Sequence, residues 1–92
     1  MEDPVSRELT IVNRRGLHAR ASAKFVQTVE KLNASVSVAK DGMTVGGTSI
    51  MGLMMLAAGI NSTIIVSAAG PEAEAALDAI EALVADRFGE ES

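Results

Sequence analysis

The stretch RRGLHARASAKF, residues 14–25, contains the change from a strand pattern to a helix pattern on which the fold depends. Before it, residues 8–13 are rich in β-branched side chains and alternate between apolar and polar, which predicts a strand. Gly16 interrupts that pattern, and after His18 the apolar residues recur at helical spacing, which predicts a helix to about Lys31. The only histidine of the chain is therefore expected where a helix begins.

Three further segments have strand signals. Residues 34–40 alternate between apolar and small polar side chains, and residues 63–68 are β-branched and apolar. The pair at 41–42, Asp-Gly, is typical of a two-residue hairpin turn, and it is followed by a short strand pattern over 43–45. We therefore expect a hairpin in the middle of the chain and a separate strand after it.

Two further helices are predicted after the hairpin. Ser49 occupies an N-cap position before an apolar segment over 50–58, and Gly59 is expected as the left-handed residue that closes this helix. A third helix opens at 70–72, where a proline and an acid suit a first turn. Its apolar stripe comprises Ala76, Leu77, Ile80, Leu83 and Val84.

The predicted order is β-α-β-β-α-β-α. One sheet with all helices on one face is the simplest way to bury three helical stripes, so the expected fold class is α+β. Ninety-two residues suffice for one domain, residues 1–92, and not for two independent cores. Residues 1–7 and 89–92 have no strong pattern, and we expect them to be frayed tails.

The composition excludes several classes of function. Apolar residues make up 48% of the chain, but there is no Trp or Tyr, so stacking of bases or sugars on aromatic side chains is almost excluded. A net charge of −4 argues against general binding of nucleic acid. One histidine without cysteines cannot form a structural zinc site, so no metal and no cofactor are expected.

The composition also bears on location. The chain has no cysteine, which favours a reducing cytoplasm over an oxidising compartment. Residues 1–8 lack the apolar core of a signal peptide. The most apolar run, 50–60, contains Gly52 and Gly59 and is too short to cross a bilayer. We therefore expect a cytoplasmic protein without membrane insertion.

The charges are distributed unevenly around the histidine. No Asp or Glu occurs from Leu9 through Val29, whereas half of the eight basic residues lie there: Arg14, Arg15, Arg20 and Lys24. Charge alone does not distinguish two interpretations of this cluster, a solvated basic face and a local binding site for an anion.

The position of His18 allows some roles and disfavours others. A Ser-His-Asp arrangement is unsupported, because no acid lies near it in the sequence. A purely structural histidine and a general base both remain open on spacing alone. The first turn of a helix, however, has unpaired N–H groups and a favourable dipole for an anion. A phosphoryl group on His18 would meet those N–H groups and the guanidinium of Arg20.

Two motifs identify a family resemblance. Residues 16–20, GLHAR, and residues 49–54, SIMGLM, lie about 30 positions apart and together resemble the histidine-containing phosphocarrier family HPr of the bacterial phosphotransferase system. The resemblance extends over about Glu8 to Phe88. It implies an open-faced sandwich, in which a four-stranded antiparallel sheet is covered on one face by three helices.

The resemblance also implies a function for the histidine. In this family the active-site histidine accepts a phosphoryl group on Nδ1 from enzyme I, which is charged by phosphoenolpyruvate, and passes it to a IIA domain. His18 matches that histidine and Arg20 matches the active-site arginine. The implied protein is a monomeric phosphoryl carrier and not an enzyme with its own turnover.

Ser49 and the second helix match a regulatory site and a docking site. Ser49 matches the serine that an HPr kinase/phosphorylase modifies in many bacteria, although its N-cap position alone could explain it. By resemblance, Ile50, Met51 and Met54 form an exposed docking patch, and the alternative is that all the methionines are core.

Two wider alternatives remain from sequence. One is a regulatory interaction protein that works through phosphorylated Ser49 and the methionine patch; retention of His18 argues against this as the exclusive role. The other is a small ligand-binding domain, which the chain is too short to supply with a cavity. The sequence does not distinguish a sugar-uptake branch of the phosphotransferase system from a regulatory, nitrogen-type branch.

Overall fold

A computed structural model describes residues 3–92. It contains four strands and three helices, in the predicted order. The elements are β1 (Val5–Thr10), α1 (Ala19–Glu30), β2 (Ser35–Lys40), β3 (Met43–Gly46), α2 (Ile50–Met55), β4 (Thr63–Ala69) and α3 (Ala73–Ala85), followed by a 3₁₀ turn at Arg87–Gly89. The predicted α+β class with a four-stranded antiparallel sheet is confirmed.

The strand order in the sheet is β1-β4-β2-β3, and every neighbouring pair is antiparallel. β2 and β3 form the predicted hairpin, whose two turn residues, Asp41 and Gly42, both have positive φ. Two successive positive φ values are typical of the tight turn that matches strand twist. β4 lies between β1 and β2, so the last strand of the chain occupies a central position.

The helices pack on one face of the sheet. Along β4, the side chains of Ile64 and Val66 are fully buried under the helices, while Ile65 between them is 44% exposed on the other face. The buried apolar residues of the helices are Ala21, Phe25, Val26, Val29, Leu53, Ala73, Ala76, Leu77, Ile80 and Val84. Full burial of one of the larger side chains among them, a Val, Leu, Ile or Phe, contributes about 1.5–3 kcal/mol to stability.

The first strand differs from its predicted bounds. It begins at Val5, not Glu8, because residues 5–7 pair with the end of β4, where Val5 faces Ala68. The expected tail at 1–7 is therefore wrong from Val5 onward, while Met1 and Glu2 lie outside the described residues. The expected tail at 89–92 is also wrong for Gly89 and Glu90. Gly89 closes the 3₁₀ turn through its N–H, and the Glu90 side chain is hydrogen-bonded to Asn13 and His18.

The second helix ends earlier than its apolar pattern predicts. It stops at Met55, and the left-handed residue after it is Ala57, with φ of 53°, instead of the expected Gly59. The chain leaves the helix here because the carbonyl of Ala58 accepts a hydrogen bond of 2.9 Å from the N–H of Leu17. This contact joins the end of α2 to the loop before α1.

Candidate functional site

His18 lies at the N-cap of α1. Its backbone is extended, and its carbonyl accepts the first helical hydrogen bond, from the N–H of Ser22 at 2.9 Å. The N–H groups of the first turn, at residues 19–21, have no acceptor within the helix, and the His18 side chain does not cap them. The imidazole is 15% exposed. The predicted position of the histidine at a helix opening is confirmed.

Gly16 creates the bend that brings His18 to this position. Its φ is +65°, a conformation that costs other residues energy, and a Cβ here would overlap the carbonyl oxygen of Ala58 and lie 2.8 Å from the Cα of Gly59. The next residue, Leu17, is buried and donates its N–H to Ala58. The loop before α1 is therefore held against the end of α2 by backbone contact.

An acidic residue that sequence reasoning missed reaches the histidine from the far end of the chain. One carboxylate oxygen of Glu90 pairs with Nε2 of His18, and the other accepts a 3.1 Å hydrogen bond from the buried Asn13 carboxamide. The same Asn13 nitrogen donates to the Gly16 carbonyl at 2.9 Å. No acid is close to His18 along the sequence, but the fold places the carboxylate of Glu90 against its ring.

The surroundings of Glu90 favour its charged form. Partial burial raises the pKa of the Glu90 carboxyl, but hydrogen bonds from His18 and Asn13 and the charge of Arg15 outweigh burial and lower the pKa below the ordinary 4.5. Because the pKa of this carboxyl is lower in the folded state than in the unfolded chain, its ionisation stabilises the folded protein at pH values above the ordinary carboxyl pKa. That contribution is lost as the pH falls through the lowered pKa.

Arg20 lies in the exposed first turn of α1. Among residues 3–92 its guanidinium forms no ion pair and no hydrogen bond to His18. The structure therefore brings Arg20 to the same helix end as His18 and leaves its donors available to an external anion.

Ser49 caps α2 as predicted. Its Oγ accepts a 2.9 Å hydrogen bond from the N–H of Gly52, and the residue is exposed. A hydroxyl that is both a cap and exposed to solvent is compatible with both roles that the sequence suggests. The N-cap role is confirmed by this geometry.

Removing the cap has a defined expected cost. Ser49→Ala should lower the free energy of unfolding by about 1 kcal/mol, because the N–H of Gly52 loses its acceptor. Denaturant unfolding measures the change. Thr48→Ala, at the exposed neighbouring position, is the matched control and should change stability by less than about 0.5 kcal/mol. Equal losses in the two variants would contradict the capping role.

The predicted exposure of the second helix is confirmed. Met51 is 71% exposed, and the exposed apolar residues of the helix are Ile50, Met51, Met54 and Met55, which we call the α2 patch. Met55 was not singled out from sequence. Leu53 is fully buried and anchors the helix, so the alternative that all the methionines are core is wrong. Met54 also borders a shallow depression shared with His18, so the patch adjoins the histidine.

Two absences limit the chemistry within the described part of the chain. Residues 3–92 contain no group of three or more side chains arranged to hold a metal ion. Over the same residues, no helix has both the length and the apolarity needed to cross a bilayer. The depression beside His18 is open and is bordered by Arg15, Leu17 and Ala58. The ring of His18 therefore borders an open surface and not an enclosed cavity.

Comparisons with known proteins agree with this geometry. Residues 5–86 match the family model described as the PTS HPr component phosphorylation site. The phosphocarrier protein HPr of Cupriavidus necator is 49% identical over 94% of this chain and 97% of its own. The phosphocarrier protein NPr of Shewanella violacea is 39% identical over 96% of this chain and 97% of its own.

A solved structure shows the same fold. The crystal structure of HPr-C-His from Thermoanaerobacter tengcongensis superposes with a TM-score of 0.91 at 39% identity and covers 96% of this chain and 99% of its own. The family match spans most of the chain and includes both His18 and Ser49. The chain belongs to the HPr family of the bacterial phosphotransferase system, whose members are phosphocarrier proteins and not catalytic enzymes.

Proposed function

We propose that His18 is the phosphoryl acceptor, that it takes the group on Nδ1 from phosphorylated enzyme I, and that it passes the group to a IIA domain. The observation that supports this most is the pairing of Nε2 with Glu90 at a helix opening, since it leaves Nδ1 as the ring nitrogen without a hydrogen bond among residues 3–92. A neutral imidazole with its proton on Nε2 has its lone pair on Nδ1, which is the nucleophile.

The transfer requires no group beyond the two proteins. The Nδ1 lone pair forms the bond to phosphorus while the bond between phosphorus and the donor breaks, and its electron pair returns to the donor. The phosphoryl oxygens would then meet the unpaired N–H groups at residues 19–21. This helix-end interaction contributes about 0.3–1 kcal/mol, or up to about 2 when partly buried. Such modest terms suit a carrier that must release the group again.

Arg20 would stabilise the transferred group. Its guanidinium is exposed on the same helical turn, and a charge-assisted hydrogen bond to a phosphoryl oxygen contributes about 1.5–3 kcal/mol. Arg20→Ala should therefore slow phosphoryl transfer about tenfold to a hundredfold, measured by rapid quench with phosphorylated enzyme I.

The fold should be unaffected by Arg20→Ala, because the side chain forms no ion pair within residues 3–92. Lys31→Ala is the matched control, since it removes the same charge at the other end of α1, where the residue is also exposed. Transfer by Lys31→Ala should stay within about twofold of the unmodified protein. An unchanged rate in Arg20→Ala would contradict the role given to Arg20.

We further propose that the α2 patch, which includes Ile50, Met51 and Met54, docks enzyme I and the IIA domain. Its exposure and its position beside His18 support this, and flexible methionine side chains adapt to more than one partner. Phosphorylation of Ser49 by an HPr kinase/phosphorylase would add negative charge at the edge of the patch and weaken docking to an acidic partner surface. The carrier is proposed to act as a cytoplasmic monomer.

One reconstitution tests the central proposal. The protein is incubated with phosphoenolpyruvate and its cognate enzyme I, and intact mass is recorded before and after mild acid. We expect one acid-labile phosphoryl group, and we expect it to leave the protein when a cognate IIA domain is added. A protein that gains no phosphate under these conditions, or gains only acid-stable phosphate, would contradict the proposal.

A further inference from the structure

The chain after α3 folds back toward the start of α1. The 3₁₀ turn is closed by hydrogen bonds from the N–H of Gly89 to Asp86 at 3.0 Å and from the N–H of Glu90 to Arg87 at 2.9 Å. Phe88 within it is fully buried, although its φ is 54°. A non-glycine residue with such a φ persists only where the surrounding structure holds it. Residues 86–90, which we call the C-terminal strap, are therefore fixed in place by the buried Phe88 and by the hydrogen bonds of the turn.

The strap is anchored to α1 by a second contact. The ammonium group of Lys24 donates a 2.6 Å hydrogen bond to the carbonyl of Phe88. Gly89 has φ of 78°, and a Cβ there would lie 3.1 Å from that ammonium group, so glycine gives the lysine room. The burial of Phe88 and the contact of Lys24 together set the direction in which Glu90 leaves the turn.

Both carboxylate oxygens of Glu90 have a hydrogen-bond partner. One pairs with Nε2 of His18 and the other accepts from the carboxamide of Asn13, which is fully buried. Asn13 is in turn held by the Gly16 carbonyl. The groups facing the carboxylate are the His18 imidazole and the charged Arg15, with the Lys24 ammonium beside the neighbouring Gly89. The site therefore presents one negative charge to the edge of the ring opposite Nδ1.

The position of this charge has a chemical consequence. A neutral imidazole that keeps its proton on Nε2 and gains a phosphoryl group on Nδ1 becomes a cationic ring, because its lone pair now forms the bond to phosphorus. A carboxylate hydrogen-bonded to the Nε2–H stabilises that cation and holds the proton on Nε2 beforehand. Without this carboxylate, the neutral ring would populate both tautomers, and only the one protonated on Nε2 has the lone pair on Nδ1. The phosphorylated ring would also lose the negative charge that balances its positive charge.

We propose that Glu90 is a positioning residue that holds the proton of His18 on Nε2 and stabilises the ring when Nδ1 has received the phosphoryl group. This inference rests on the proposed function and deepens it. Glu90 makes no contact with the phosphoryl group and acts through the imidazole. It thereby sets how much of the phosphoryl group remains on this protein at equilibrium with enzyme I.

Two variants separate the charge from the hydrogen bond. Glu90→Gln keeps an oxygen that can accept from Nε2–H and removes the charge, and Glu90→Ala removes both. Glu91→Gln is the matched control, because Glu91 is the exposed neighbouring carboxylate. An opposite charge within hydrogen-bond distance typically changes a protonation equilibrium tenfold or more. We expect Glu90→Gln to shift the phosphoryl equilibrium about tenfold toward enzyme I and Glu91→Gln to leave it unchanged.

The unphosphorylated protein allows a second measurement, the proton resonance of His18 Nε2–H. This resonance would not change if Glu90 only stabilised the fold. In the unmodified protein, a His18 Nε2–H proton resonance protected from solvent exchange should appear far downfield in the NMR spectrum. It should persist in Glu91→Gln and disappear in Glu90→Ala, while thermal unfolding confirms that the variants are folded. A resonance that survives in Glu90→Ala, or a Glu90→Gln equilibrium within twofold of the unmodified protein, would overturn the proposal.

These outcomes are distinguishable from failure of the proposed function. If the unmodified protein accepts no phosphate from enzyme I, the proposed function fails and this inference fails with it. If the unmodified protein is phosphorylated and the Glu90 variants behave like it, only the role of Glu90 is wrong.

Discussion

His18→Gln is expected to abolish phosphoryl acceptance from enzyme I. Glutamine has no nucleophilic nitrogen, because its amide lone pair is delocalised, and no other histidine is present in the chain. Acid-labile phosphate should fall at least about a thousandfold, to the limit of detection by intact-mass measurement, since the nucleophile itself is removed.

The same variant should remain folded. The side-chain N–H₂ of glutamine can donate to Glu90 in place of Nε2, and the imidazole is not part of the apolar core. We expect the free energy of unfolding to stay within about 1 kcal/mol of the unmodified protein, which denaturant unfolding measures. Acid-labile phosphate on a folded His18→Gln protein would show that the acceptor is elsewhere.

Gly16→Ala is expected to have the largest effect on stability among single-methyl changes near the site. The left-handed conformation at φ of +65° costs a non-glycine residue about 1–2 kcal/mol. The added Cβ would also overlap the backbone at Ala58, which cannot move without breaking its hydrogen bond to Leu17. We therefore expect a loss of about 3 kcal/mol or more in the free energy of unfolding, measured with denaturant.

Gly59→Ala is the matched control for this change. Gly59 is not among the residues of positive φ, and a Cβ there would meet nothing within 4 Å. Because alanine restricts the unfolded chain more than glycine does, Gly59→Ala should be neutral or stabilising by up to about 1 kcal/mol. Comparable losses in Gly16→Ala and Gly59→Ala would contradict the account of how the loop before α1 is held.

The sequence predicted those features that depend on local pattern. The apolar spacing after His18 places α1 correctly, and the Asp41–Gly42 pair places the hairpin. Ser49 caps α2 because its position before an apolar run is a local signal. In each case the residues that decide the element are within a few positions of it, so periodicity and turn chemistry are sufficient.

The features that the sequence did not predict depend on distant contacts. Glu90 meets His18 across 72 positions of the chain, and its approach is directed by burial of Phe88, one of only two phenylalanines. An apolar residue inside a polar terminal stretch was the available signal. The start of β1 at Val5 depends on the length of β4, and the end of α2 at Met55 depends on the contact of Ala58 with Leu17.

The measurement that tests the central claim most directly locates the phosphoryl group on the ring. The protein is labelled with ¹⁵N in histidine, phosphorylated with phosphoenolpyruvate and enzyme I, and examined by NMR for coupling between phosphorus and each ring nitrogen. We expect the coupling at Nδ1 of His18, with the proton retained on Nε2. Coupling at Nε2, or phosphate on a residue other than His18, would contradict the account.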